Sequence, residues 1–169
     1  MKKDFIMPIL VLSLVCLFMS GALAVSDSIT RPVIEEASAE RALAVKKEIL
    51  PLAEEFVLLE VEGLPKRIVE VYGTPDNQGY IFSITTSGFG GEISILCGID
   101  PDGKIIRSVV MSHSETPGFG DRVFVAVNES EEKGEHFDAV AGATVTSNAY
   151  REGIQDAFAA FEIIKGVQP

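Results

Sequence analysis

Residues 79–113, "GYIFSITTSGFGGEISILCGIDPDGKIIRSVVMSH", decide the fold. Three runs rich in β-branched and aromatic residues, "GYIFSITTS", "EISILCGI" and "KIIRSVVMSH", are separated by glycine-bearing breaks. Short runs of that composition punctuated by turn residues read as consecutive strands joined by hairpins. "DPDG" at 100–103 opens like a calcium loop. The later ligand positions of an EF-hand are missing, including the closing glutamate, so a hairpin turn is expected. "SGFGGE" at 87–92 has neither the lysine nor the strand–helix context of a phosphate loop, and reads as a tight connection.

The pattern extends outward on both sides. Upstream, "EFVLLEVE" (55–62) and "RIVEVYG" (67–73) are two more strand-like runs, with "TPDNQG" as a turn before residue 80. Residues 33–50, "VIEEASAERALAVKKEIL", read as a helix with acids early and lysines late, matching the macrodipole, and Pro51 ends it. Downstream, "AYREGIQDAFAAFEIIKG" carries Tyr150, Ile154, Ala157, Phe158, Phe161 and Ile164 on one helical face, with Gly166 as its stop. Helix, mostly antiparallel sheet, glycine-rich stretch and helix together predict an α+β domain.

At 169 residues the chain is expected to be one domain plus accessories. Residues 5–25, "FIMPILVLSLVCLFMSGALAV", are 21 residues without a charge. That is long enough to cross a bilayer as a helix. Pro8 lies near its start, where a helix tolerates it. Lys2 and Lys3 precede the segment, which predicts a cytoplasmic N-terminus and an exported remainder. The competing reading is a cleaved signal peptide, because "ALA" at 22–24 has the small-x-small form of a cleavage site. The retained anchor is favoured, since the apolar run exceeds a usual signal core. The expected organisation is an anchor at 1–25, a linker at 26–32 and a domain at 33–169.

The formal net charge is −11; residues 1–25 hold only Lys2, Lys3 and Asp4, so the rest carries −12. A domain this acidic is not a nucleic-acid binder, and it is not drawn to an anionic lipid surface. Two cysteines make no disulfide framework. Cys97 in "EISILCGI" reads as a small buried hydrophobe, and Cys16 follows the bulky Val15, against lipid attachment.

Two stretches do not look like scaffold. In "SHSETPGFGD" (112–121) a strand ends near His113, and Thr116, Pro117 and Gly118 force a turn; from these residues alone it reads as an ordinary turn at a strand end, the alternative being one whose N–H groups face an anion. In "FDAVAGATVTSNA" (137–149), Thr146 or Ser147 is a natural N-cap for the last helix. Thr144 is not needed for capping. It follows the small Gly142 and Ala143 just ahead of a helix start, where a phosphate group is readily held, so an anion near Thr144 and plain capping both remain open. No Ser/His/Asp or Cys/His set accompanies these hydroxyls, so no catalytic residue is assigned. His113, His136, Glu115 and Asp138 have no metal-ligand spacing, and no metal is expected. Nothing in the sequence brings Glu115 and Asp138 together as paired carboxylates.

An apolar anchor, a helix ending in "ILP", the 79–113 meander, "SHSETPGFGD" and then "DAVAGATVTS" occur here in that order. Over roughly residues 5–165 this resembles the FMN-binding domain of the G subunit of the Rnf electron-transport complex; the C subunit of the Na⁺-translocating NADH:quinone oxidoreductase is related. The resemblance implies FMN joined through its phosphate to a threonine in a D-x-x-S/T-G-A-T segment, attached by a separate flavin transferase that uses FAD. The matching positions are Asp138, Gly142, Ala143 and Thr144, which makes Thr144 the expected attachment residue and Thr146 its competitor. Val145 flanks the attachment point. Glu115, Thr116 and Gly118 are expected on the opposite wall, with Glu115 or Thr116 near the ribityl chain or ring. Ala141 stands where the family usually has Ser or Thr, and the interval 124–136 is short. The implied role is an electron carrier anchored in the membrane beside other subunits of an ion-translocating complex. The alternatives are a stand-alone extracytoplasmic FMN domain serving another reductase and a non-redox anchored domain with an empty site.

Overall fold

A computed structural model describes the backbone over residues 2–129 and 139–167. The chain falls into two compact units, Met1–Ala42 and Leu43–Pro169.

Helix α1 (Lys2–Ile49) supplies the first unit as far as Ala42, and its residues from Leu43 belong to the second; it runs through the apolar stretch, with Pro8 and Pro32 inside it. Among the described residues it is the one helix long and apolar enough to cross a membrane. Its apolar side chains, Leu17 and Phe18 among them, are exposed along this stretch. A stretch apolar on all sides and left uncovered by the rest of the chain has the composition of a helix that could cross a membrane. Residues 26–32, expected as a linker, are helical instead. Ser28 Oγ donates to the Val25 carbonyl at 2.8 Å, and Arg31 lies 3.9 Å from Asp27 one turn back, so side chains support the turn that Pro32 weakens.

The second unit is built on five antiparallel strands in the order β1-β2-β3-β4-β5. They are β1 (Val57–Leu58), β2 (Ile68–Gly73), β3 (Tyr80–Ser87), β4 (Glu92–Ile99) and β5 (Ile105–His113). The expected runs are all present, but "EFVLLEVE" supplies only two strand residues. Val57 and Leu58 are both half exposed, while Leu59 and Val61 pack against the core just beyond the regular strand. β3 and β4 pair without interruption from Tyr80 opposite Ile99 to Ser87 opposite Glu92.

Strand alternation sorts the side chains between two faces. Phe82, Ile84, Ile93, Ile95, Cys97 and Ile99 point to one core, which is completed by helix α3 (Thr144–Val167). The stripe Tyr150, Ile154, Ala157, Phe161 and Ile164 is buried there, with Phe158 partly so. Gly153 lets the helix approach β3, since a Cβ there would stand 3.1 Å from Ile84. Thr86 Oγ1 donates to the Ala149 carbonyl at 3.1 Å, and Tyr150 donates to Ser108 Oγ at 2.6 Å. Arg67 pairs with Asp156 at 3.0 Å and with Glu152. These contacts fix where α3 begins, and therefore where its first residues point. Cys97 is fully buried, and burial pushes its thiol up to about 12, as expected of a structural cysteine. On the other face Ile81 and Leu96 pack against Ile49, the last residue of α1, and against Leu50 and Ala53 just after it.

Two elements depart from expectation near the glycine-rich stretches. A short helix, α2 (Arg122–Glu129), follows the "ETPGFG" turn. Helix α3 begins at Thr144, ahead of the expected residue 149, and continues through Gly166 to Val167.

Candidate functional site

Three separate segments meet around a cavity of about 410 Å³. Phe89 comes from the β3–β4 hairpin; Glu115, Thr116, Phe119 and Gly120 from the turn after β5; Gly142, Ala143, Thr144, Val145 and Thr146 from the start of α3. The volume lies in the range of small-molecule and cofactor sites.

Each wall has a local cause. The hairpin closes with Gly88 N–H donating to Gly91 O at 2.8 Å, which leaves Phe89 at the tip. In the turn after β5, Phe119 and Gly120 N–H groups both donate to the Thr116 carbonyl at 3.2 Å, and Gly118 takes φ 80°. Those two N–H groups, expected to face a ligand, are spent inside the turn. Gly118 itself does not line the cavity; its part is conformational, because a positive φ is cheap only for glycine.

The third wall is the helix start. Gly142 (φ 82°) and Ala143 lead into α3, and Ser147 N–H donates to the Ala143 carbonyl at 2.9 Å as the first helical bond. Ala143 is therefore the capping position, not Thr146 or Ser147. Ser147 turns its Oγ back to accept from Val140 N–H at 3.1 Å, tying down the segment ahead of the helix. The geometry of a helix start leaves the N–H groups of its first residues directed outward, and here those residues are Thr144, Val145 and Thr146.

Burial separates the hydroxyls that the sequence left in competition. Thr144 is exposed at the cavity, Thr146 is 1% exposed and Ser147 is fully buried. Ala143 is buried beneath Thr144, so the small residue preceding it serves packing as well as access.

Glu115 takes an unexpected place. Its side chain is 5% exposed, and its Oε1 accepts from Gly90 N–H at 3.2 Å, so it ties the turn after β5 to the hairpin. Three glycines make room for it. A Cβ on Gly88 would stand 2.0 Å from Oε1, one on Gly120 2.4 Å from Oε2, and one on Gly90 2.2 Å from the Ser114 carbonyl oxygen. His113 Nδ1 accepts from the Glu115 N–H at 3.3 Å, and its ring lies 4.7 Å from that of Phe124. His113 therefore braces the same corner. His136 and Asp138 lie outside the described residues. Among the described residues no group of three potential metal ligands is found.

The structure thus gathers seven of the eight expected site residues and adds Phe89, Phe119 and Gly120. A signal for the additions was present: the triplet Gly-Phe-Gly occurs twice, at 88–90 and 118–120. Both phenylalanines face the one cavity.

The cavity is apolar over its aromatic mouth and polar at the helix start. That division suits a molecule with a flat apolar body and an anionic end. Comparison with known proteins agrees. Residues 88–159 match the FMN-binding domain, a span that runs from the first Gly-Phe-Gly triplet into α3. The chain is 30% identical to the G subunit of the ion-translocating oxidoreductase complex of Stutzerimonas stutzeri, over 85% of this chain and 75% of that protein. It is 27% identical to the G subunit of the Na(+)-translocating ferredoxin:NAD(+) oxidoreductase complex of Acetobacterium woodii, over 86% of each. It is 26% identical to the G subunit of the ion-translocating oxidoreductase complex of Vibrio atlanticus, over 88% of this chain and 86% of that protein. An FMN-binding domain behind an apolar helix, matched over most of its length by these relatives, places the chain in the family of Rnf-type ion-translocating oxidoreductase complex G subunits, electron-transport flavoproteins that bind FMN.

Proposed function

We propose that this chain is a membrane-anchored electron carrier whose FMN is joined by a phosphoester to Thr144 Oγ1, working beside the other subunits of an ion-translocating complex. The carrying observation is the contrast among the hydroxyls at the start of α3. Thr144 is exposed on the cavity wall, whereas Thr146 and Ser147 are buried. A modifying enzyme needs a hydroxyl it can reach.

Threonine ionises too weakly to attack a phosphate unaided, and no base is assigned beside Thr144. A separate flavin transferase supplies the activation. With FAD as donor, an Oγ1–P bond forms, the diphosphate link breaks, AMP leaves and the hydroxyl proton is released. The phosphodiester's single negative charge then rests at the start of α3, where the helix dipole and the N–H groups of its first turn favour an anion. Bound FMN supplies reversible electron uptake; the protein fixes its position and access to it. α1 holds the domain at the membrane, and Lys2 and Lys3 keep the N-terminus in the cytoplasm, so the FMN domain works on the extracytoplasmic face.

The test is co-expression with a flavin transferase, followed by in-gel flavin fluorescence of the denatured protein. Wild type is expected to fluoresce, Thr144→Ala to be dark, and Thr144→Ser to retain signal because the hydroxyl remains. A bright Thr144→Ala band moves attachment to another residue and removes the proposal.

A further inference from the structure

We infer that Phe89 and Phe119, the centres of the two Gly-Phe-Gly triplets, are the side chains that hold the flavin ring, and that Glu115 is the positioning residue that sets them. This rests on the reading that FMN occupies the cavity beside Thr144.

The first observation is exposure. Phe89 is 77% exposed and Phe119 62%, while Tyr80, Phe82, Phe124, Tyr150 and Phe161 are all buried. Among the described residues from 43 onward these two are the exposed phenylalanines. They come from different turns, yet both line the one cavity, and Val145, 53% exposed, adds an apolar surface next to the proposed attachment residue. Apolar side chains gathered from three elements at the mouth of one cavity mark a ligand surface, whereas isolated ones would need no explanation. Phenyl rings suit a planar aromatic body through stacked or edge-on contact.

The second observation is that these exposed rings sit on braced supports. Glycines on both sides of a phenylalanine would ordinarily leave it loose. Here the buried Glu115 carboxylate accepts from Gly90 N–H at 3.2 Å and fills the space left by Gly88 and Gly120. One carboxylate thus touches a flanking glycine of each phenylalanine. Missing Cβ atoms let the turns close on Glu115, and Glu115 holds them in a fixed relation. A contact surface prepared in this way costs little ordering when it is filled.

The test uses the full-length protein, flavinylated by co-expression with a transferase and purified in detergent. The chain has no tryptophan, so Phe89→Trp and Phe119→Trp each introduce a single indole. An indole in contact with an excited flavin quenches it by electron transfer. Native flavin emission, normalised to the in-gel signal of the denatured protein, is expected to fall several-fold in both variants and to recover on denaturation. Leu52→Trp serves as the control. Leu52 is 79% exposed, and its carbonyl accepts from Gln78 at the far end of β3, so emission there should equal that of wild type. Phe89→Ala should raise the iodide quenching constant several-fold. In the Phe89→Trp background, Glu115→Gln keeps an acceptor and should keep the quenching, whereas Glu115→Ala should lose most of it; equal quenching in the two removes Glu115 from the inference. Native emission in both tryptophan variants matching Leu52→Trp overturns the ring contact and leaves the rim to a protein partner. Loss of covalent flavin in Phe89→Trp alone overturns it too, by moving Phe89 to the attachment step. Absence of covalent flavin in wild type defeats the Thr144 reading itself, which is a separate result.

Discussion

The two turns that bound β4 are both short and glycine-bearing, and they are built on opposite plans. The turn at 100–103 is closed by its own residues. Gly103 N–H donates to the Asp100 carbonyl at 3.0 Å, and Asp100 Oδ1 accepts from Asp102 and Lys104 N–H at 2.9 and 2.8 Å. The turn at 88–91 closes with one internal bond and borrows its second from Glu115, 25 residues away along the chain, while holding Phe89 out at its tip. A turn satisfied locally needs nothing from the rest of the fold. A turn that depends on a distant buried carboxylate and exposes an aromatic ring is shaped by something other than its own stability.

The difference can be broken at either turn, and the largest effect is expected where backbone blocks backbone. Gly90→Ala puts a Cβ 2.2 Å from the Ser114 carbonyl oxygen and 2.9 Å from Glu115 Cα, so main chain must move. A loss of about 3 kcal/mol is expected in chemical unfolding, the upper end of overpacking costs. A loss below that of Gly103→Ala would show that the 88–91 turn can relax. Gly103→Ala meets only the edge of the Phe161 ring at 3.2 Å, which can yield, and its cost is set by φ 86°. About 1 kcal/mol is expected, the left-handed penalty alone. Asp100→Ala removes two hydrogen bonds at a solvated turn and should cost about 0.5–1 kcal/mol. A loss of several kcal/mol would mean that this turn, too, is tied to the core. Phe89→Ala sharpens the comparison from the other side. A side chain 77% exposed should change unfolding free energy by no more than about 0.5 kcal/mol in protein without flavin. A larger loss would make Phe89 structural and weaken its assignment to the cofactor.

Helix α3 offers a similar contrast within one element. From Tyr150 onward it is held by a buried stripe that periodicity alone revealed. Its first turn, Thr144–Ser147, has no such stripe and is set by what precedes it: Gly142 with positive φ, the Ala143 carbonyl receiving the first helical bond, and Ser147 reaching back to Val140. Capping statistics pointed to Thr146 or Ser147 because both side chains suit the role. Burial of those hydroxyls moved the start upstream, a tertiary preference overriding a local one.

Strands β2 to β5, the turn at 100–103, the apolar face of the last helix and the apolar character of the N-terminal segment were legible along the chain. Each of these is written in periodicity, turn chemistry or an unbroken apolar run, signals carried by neighbours in the chain. The sequence also singled out Thr144, Thr116 and Glu115, which the fold brings to one cavity. Only the packed fold decided that Glu115 lies beneath two turns as their brace, and that two Gly-Phe-Gly triplets 30 residues apart share one cavity. Those facts depend on contacts between segments distant in sequence. No local pattern encodes whether a carboxylate or a hydroxyl ends up facing solvent or covered by another part of the chain, because burial belongs to the packed fold.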